Sequence, residues 1–221
     1  MYQVVAEVLS NKKITLNFFK IILDAPKICQ NAHPGQFVHI KVTGGSTFLL
    51  RRPFSIHNTE DGKLEILYRV VGKGTDLLSR KEKSEKVDLL GPLGQGFKLK
   101  EKFRTIVLVA GGIGVAPLHF LAKRLLSHDL KISDQESLKI RRPKVTLLLG
   151  AETKKQILCY QDFKNLGAAV KIATEDGSWG YKGLVSDFLA ETLLRCSKLD
   201  SIFACGPVAM LKKIAKLSRK Y

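Results

Sequence analysis

Four short constellations in the chain combine residue types that can grip phosphate and line a flat ring. The first is Arg51-Arg52-Pro53-Phe54-Ser55. An arginine fork can hold a pair of phosphate oxygens, and proline fixes the backbone so that the next side chains point predictably. An aromatic can then cover a flavin face, and a serine hydroxyl can reach a ring nitrogen. The second is Tyr68-Arg69-Val70-Val71-Gly72-Lys73-Gly74-Thr75. Its glycines bring backbone close to a bound group, and Thr75 can cap a helix beginning at Asp76. A helix start reached through glycines suits a pyrophosphate; taken alone, an ordinary threonine-capped turn is the better account of the motif. The third, Val109-Ala110-Gly111-Gly112-Ile113-Gly114-Val115-Ala116-Pro117, lies between an apolar run and a helical pattern, where a nucleotide motif must lie. It is not the GxGxxG fingerprint, because the spacing differs and Pro117 falls in the first helical turn. The fourth, Phe203-Ala204-Cys205-Gly206-Pro207, turns sharply at the end of another apolar run and leaves Cys205 at a strand's carboxyl edge.

Two kinds of element must position these groups. Residues 1–101 read as all-β, with strand signals at 3–9, 15–23, 36–42, 54–58, 63–70 and 86–91. Turn signals separate them at Asn11-Lys12-Lys13, Pro34-Gly35, Gly44-Gly45, Asp61-Gly62 and Gly91-Pro92. Only residues 76–81 look helical in this half, and the spacing predicts a small closed barrel or sandwich. Residues 102–221 change character. Continuous apolar runs at 105–110, 144–150, 169–174 and 201–205 read as strands buried on both faces. Helical segments at 116–126, 160–166, 185–194 and 208–216 alternate with them, which predicts a parallel α/β sheet. Residues 127–144 read as an exposed connection.

Composition excludes several classes. No run approaches the roughly 18–20 apolar residues needed to span a bilayer, and the N-terminus alternates like a strand rather than a signal peptide. A cytoplasmic protein without membrane insertion is expected. Cys29, Cys159, Cys196 and Cys205 show no CxxC spacing, and five dispersed histidines suggest no metal site. The net charge is +17. Residues 1–101 carry 16 Lys+Arg against 10 Asp+Glu, and residues 102–221 carry 21 against 10, so the excess is spread along both halves. Without aromatic stacking motifs this charge fits an acidic protein partner or solubility better than nucleic acid.

In this order and over nearly the whole chain, the four motifs resemble the ferredoxin–NADP reductase superfamily. The branch of electron-transfer subunits of class 1B dihydroorotate dehydrogenase is the most similar. Pro34-Gly35-Gln36-Phe37, Leu49-Leu50-Arg51-Arg52-Pro53, 90–97, Asp176-Gly177-Ser178 and Gly180-Tyr181-Lys182-Gly183 carry that likeness. The resemblance implies a Greek-key antiparallel FAD-binding β-barrel at 1–101, followed by a Rossmann-like parallel-sheet NAD(P)-binding domain at 102–221. It further implies that Arg52 holds the FAD pyrophosphate, that Pro53 and Phe54 line the ring, and that Ser55 lies near N5. Leu67, Tyr68 and Arg69 would contact the flavin and ribityl region, with Gly74 and Thr75 on the pyrophosphate. Gly111, Gly112 and Gly114, with Pro117, would receive the NAD(H) pyrophosphate, and Cys205-Gly206-Pro207 the nicotinamide. Ser55 and Cys205 are then the residues nearest the chemistry.

Glu175 and Asp176 stand where NADP-using relatives place a phosphate-binding pair, which favours NADH; Lys154 and Lys155 leave NADPH open. The expected outlet for electrons is a protein partner, the FMN-containing dihydroorotate dehydrogenase catalytic subunit of pyrimidine biosynthesis. Relatives of that branch continue into a cysteine-rich tail holding a [2Fe-2S] cluster, for which this sequence has no ligands. Two alternatives stand beside this: a small subunit of an NADH-dependent ferredoxin or sulfide oxidoreductase, and a non-enzymatic basic module retaining the fold.

Overall fold

Alternation of apolar and polar residues with period two builds the first half. In the computed structural model, which describes residues 1–42, 50–99, 103–127, 142–195 and 198–219, the chain divides into units 1–97 and 98–221. The first unit contains β1 (Tyr2–Thr15), β2 (Phe18–Asp24), α1 (Pro26–Cys29), β3 (Phe37–Lys41), β4 (Arg52–Ser55), β5 (Asn58–Glu60), β6 (Lys63–Arg69), α2 (Lys73–Ser79) and β7 (Lys86–Leu93). Its strands form one antiparallel sheet in the order β4-β3-β7-β1-β2-β6-β5. β4, at one edge, also packs against β6 near the other, so the sheet curls back on itself. Ile21, Leu23, Leu64 and Ile66 are fully buried on the inner face. The outer face of the same strands carries the Lys20–Glu65 pair at 3.7 Å, partly exposed and of little energetic weight.

Four local expectations are corrected here. The polar run Asn11-Lys12-Lys13 is not a turn but part of β1, because it pairs residue by residue with β2. The chain reverses instead at Leu16–Asn17, where Leu16 takes a left-handed φ of 41°. The single strand expected at 54–58 is split into β4 and β5 at Ile56-His57. Helix α2 begins at Lys73 rather than Asp76, and Thr75 caps it from within the first turn. Its hydroxyl accepts hydrogen bonds from the N–H of Val71 (2.9 Å) and Gly72 (3.2 Å). The short α1 has Pro26 in its first turn, where proline's fixed φ suits a helix start.

The second unit contains β8 (Thr105–Gly111), a 3-10 turn over Gly112–Gly114, α3 (Val115–Leu126), β9 (Lys144–Ala151), α4 (Tyr160–Asn165), β10 (Ala169–Thr174), β11 (Tyr181–Lys182), α5 (Val185–Leu194), β12 (Ser201–Cys205) and α6 (Val208–Ser218). All five strands are parallel, in the order β11-β10-β9-β8-β12. On one face Val107, Val109, Leu148 and Ala173 pack against Val185, Leu189, Leu193 and Ile214 of α5 and α6. α3 and α4 pack on β8, β9, β12 and β10. The two-residue β11 extends the sheet beyond the four expected strands. The Gly44-Gly45 turn, most of the connection at 127–144, Cys196, His128 and Tyr221 lie outside the described residues. Among the described residues, no helix is long and apolar enough to cross a membrane.

Asp200 fastens the start of this sheet. Its Oδ2 accepts hydrogen bonds from the N–H of Arg104 (2.6 Å) and Thr105 (2.7 Å). These bonds hold the carboxyl below the ordinary aspartate range. A depressed folded pKa means stability that is present above the unfolded value near 3.9 and lost as pH falls through the folded one. Asp200→Ala is therefore expected to cost about 1–2 kcal/mol at pH 7. The mutant and parent melting curves should converge as pH falls below the ordinary aspartate range and through the folded-state pKa, which thermal unfolding across pH checks.

Candidate functional site

In the first unit the two neighbouring arginines face different partners. Arg51 is committed to the barrel: its guanidinium donates to the Asp88 carboxylate at 2.6 Å and to the Asp88 carbonyl at 3.2 Å. Arg52 instead lies on Gly74. A Cβ added at position 74 would overlap the Arg52 Nε and sit 2.8 Å from its Cζ. Only a residue without a side chain permits this approach, which joins the first motif to the second. Arg52 also donates to the Leu50 carbonyl. Among the described residues, the N-cap Gly72 offers no side chain to the first turn of α2.

The strand that carries Arg52 leads on to the ring-lining residues. Pro53 is exposed, Phe54 is nearly buried, and Ser55 is half-buried at the end of β4. Phe54 meets Tyr68 edge to face, with centroids 5.7 Å apart and planes at 77°. Tyr68 is buried, and its hydroxyl donates to Asn11 Oδ1 at 3.1 Å. Burial raises the phenol pKa against the opposing pull of Asn11, so Tyr68 stays protonated at neutral pH. Leu67 is buried beside it, while Arg69 is exposed with its guanidinium 5.6 Å from the Phe18 ring centre.

In the second unit the glycines of the third motif divide into two kinds. Gly114 is a packing glycine: an added Cβ would overlap the Cys205 carbonyl and approach the Gly206 nitrogen to 2.8 Å. Gly111 likewise abuts Pro207 and Met210. The turns after the adjacent strands β8 and β12 thus interlock, and Cys205-Gly206-Pro207 lies directly beside the Gly111–Gly114 turn. Gly112 is different. It has a φ of +53°, and among the described residues nothing lies within 4 Å of where its Cβ would be. α3 follows with no side-chain cap, Pro117 buried in its first turn. Cys205 is half-buried, and burial raises its thiol pKa, so it is a neutral thiol rather than a thiolate at neutral pH.

A third cluster closes the carboxyl edge beyond β10. Thr174 Oγ1 accepts from the Trp179 N–H and donates to the Trp179 carbonyl, both at 2.9 Å. Asp176 Oδ1 accepts from the Ser178 N–H (2.9 Å) and hydroxyl (2.6 Å), and Ser178 Oγ accepts from the Lys154 N–H (2.8 Å). The Ser178 bonds hold the exposed Asp176 carboxyl below its ordinary range. Glu175 is exposed beside it. Trp179 packs on Tyr160 with centroids 4.8 Å apart, and the Lys154 ammonium lies 5.6 Å over its ring.

Sequence reasoning missed Asn11, which reads as a turn residue, and the roles of Ser178 and Tyr160. The partners of Asn11 and Tyr160 are remote in sequence and nothing local signals them. The Asp176–Ser178 bonds, by contrast, are local, and the Asp-Gly-Ser run is the signal that could have found them. Among the described residues, no group of three or more His, Cys, Asp or Glu is placed to hold a metal ion.

A curled antiparallel sheet followed by a parallel sheet with a glycine turn after β8 defines the ferredoxin-reductase-like flavoprotein oxidoreductases. A solved structure of an NADH-dependent reduced ferredoxin–NADP oxidoreductase superposes with a TM-score of 0.80 at 30% identity, over 98% of this chain and 72% of that one. A family model described as the oxidoreductase NAD-binding domain matches residues 108–216. The dihydroorotate dehydrogenase B (NAD(+)) electron transfer subunit of Desulforamulus reducens is 39% identical over 96% of this chain and 76% of its own. That of Bacillus mycoides is 38% identical over 94% and 75%. The chain belongs to the family of dihydroorotate dehydrogenase B electron transfer subunits.

Proposed function

We propose that residues 1–101 bind FAD, that residues 102–221 bind NADH, and that the chain relays reducing equivalents from one to the other and on to a protein partner. The observation that carries this reading is the Arg52 guanidinium lying on Gly74, a cationic fork over backbone with no intervening side chain. That donor set suits the FAD pyrophosphate, with Thr75 holding the turn in shape. Phe54 and Tyr68 form a rigid aromatic wall for the ring system, with Pro53, Ser55 and Arg69 along its margin, while Leu67 lies on the other face of β6.

In the second half, the open side of Gly112 and the uncapped start of α3 suit a second pyrophosphate. Gly111 and Gly114 hold that turn against Cys205-Gly206-Pro207, and Pro117 stiffens the first turn of the helix. When bound, FAD supplies the redox chemistry, taking hydride from the nicotinamide and giving up its electrons afterwards. The protein contributes position and electrostatics. Ser55 offers a hydroxyl at its end of β4, and Cys205 a neutral thiol that cannot compete as a nucleophile.

The preference for NADH rests on Glu175 and Asp176. Asp176 stays ionised, and the Ser178 hydroxyl that could serve a phosphate already donates to it. Lys154 is drawn over Trp179 rather than toward the carboxylates. Steady-state kcat/KM for flavin reduction should favour NADH over NADPH by at least about tenfold, roughly 1.4 kcal/mol. Equal efficiencies, or a preference for NADPH, would refute the assignment of these residues.

The partner is the FMN-bearing catalytic subunit of dihydroorotate dehydrogenase, in the cytoplasm, and no nucleic acid is involved. A net charge of +17 steers association with an acidic surface. Co-purification of that subunit with the chain tests the partner; co-purification with a ferredoxin-dependent subunit instead would replace it.

A further inference from the structure

One side chain in the first unit ties together three elements that are distant in sequence. Asn11, in β1, donates through Nδ2 to the carbonyls of Leu78 (2.9 Å) and Lys81 (3.0 Å) at the end of α2. Its Oδ1 accepts from the Tyr68 hydroxyl of β6 at 3.1 Å. Asparagine is disfavoured inside strands. Here both amide hydrogens and the carbonyl oxygen are used, and an apolar residue would leave a phenol and two carbonyls without those partners.

A second asparagine acts at the other end of the same segment. Asn17, at the tip of the β1–β2 hairpin, donates from Nδ2 to the Val70 carbonyl at 3.1 Å, and its own carbonyl accepts from the Val70 N–H at 2.8 Å. The hairpin therefore clamps the entrance of segment 70–81 through Asn17 and its exit through Asn11. Between the clamps, Leu78 is fully buried, and Gly74 meets Arg52.

We propose that Asn11, assisted by Asn17, is the positioning residue of the FAD half. It sets the Tyr68 ring against Phe54 and holds the segment that lays Gly74 against Arg52. The inference rests on the FAD reading above, and no contact between Asn11 and the cofactor is required.

The test uses the full chain freed of flavin and compares the parent with Asn11→Ala and Asn17→Ala, at a temperature where each is folded. FAD affinity is titrated by flavin fluorescence, and amide hydrogen exchange is followed across residues 70–81. Asn11→Ala should weaken FAD binding roughly tenfold, the effect of losing these bonds. It should also speed exchange across 70–81 while leaving exchange in β8–β10 unchanged. A purely structural role would lower the melting temperature yet leave FAD affinity within about twofold, which would overturn the proposal. Should Asn11→Ala fail to fold, Asn17→Ala decides: weaker FAD binding with faster exchange at 70–74 supports the clamp, and unchanged affinity overturns it. A parent protein that takes up no FAD defeats the underlying cofactor reading instead, so the two failures are distinct.

Discussion

Gly114→Ala is expected to break the parallel-sheet unit, with a loss of about 3 kcal/mol or more in stability and loss of NADH-dependent flavin reduction. The added methyl would have to occupy the position of the Cys205 carbonyl, and that obstacle is backbone, not a flexible side-chain end. Only separation of the β8 and β12 turns relieves it, and both turns carry proposed nicotinamide-nucleotide residues. Gly112→Ala, two positions away, is the control. Its methyl would enter open space, and the only stability penalty is the left-handed φ of +53°, about 1 kcal/mol. Thermal or urea unfolding followed by far-UV circular dichroism separates the two. Similar losses for both variants would contradict the division of the motif into packing and open glycines.

The second large effect separates two adjacent arginines. Arg52→Ala should weaken FAD binding roughly a hundredfold, about 2.7 kcal/mol, as two charge-assisted phosphate bonds are lost. Arg52→Lys keeps the charge but not the fork, and should fall between. Arg51→Ala should do the reverse. Arg51 faces Asp88, with both side chains about one-fifth exposed, so its removal should cost stability of about 1–2 kcal/mol and leave FAD affinity unchanged. Equilibrium titration with FAD, alongside unfolding of the apoprotein, tests both halves of this prediction. Equal effects of the two alanine variants on FAD affinity would show that Arg52 has no special role.

The division of labour between these neighbours shows what a linear pattern can and cannot convey. The Arg-Arg-Pro-Phe-Ser motif stands out by residue type, yet the pairing of Arg51 with Asp88 depends on β7 returning beside β3, which in turn pairs with β4. The apolar strands of the second unit were readable because burial on both faces leaves unbroken runs such as Thr105–Ala110. The length of β1 was not readable. Its Asn11-Lys12-Lys13 stretch has the polarity of a turn, and cross-strand pairing with β2 overrides it. The early start of α2 was hidden for a related reason: Lys73 and Gly74 open it, and glycine is a poor helix former.

The glycine turn after β8 was visible as a candidate site, but its three glycines looked equivalent. Their separate roles come from β12 lying beside β8, a contact between residues far apart in sequence. Asn11 is the extreme case. All three hydrogen-bond partners of its side chain lie more than fifty residues away.

Hydride relay from NADH to bound FAD is read out by the visible absorption spectrum of the purified chain after incubation with FAD, recorded before and after anaerobic addition of NADH. The expected result is a yellow protein with oxidised flavin bands that bleach on NADH addition. A colourless protein that takes up no FAD, or a yellow one whose flavin NADH leaves oxidised, would contradict it.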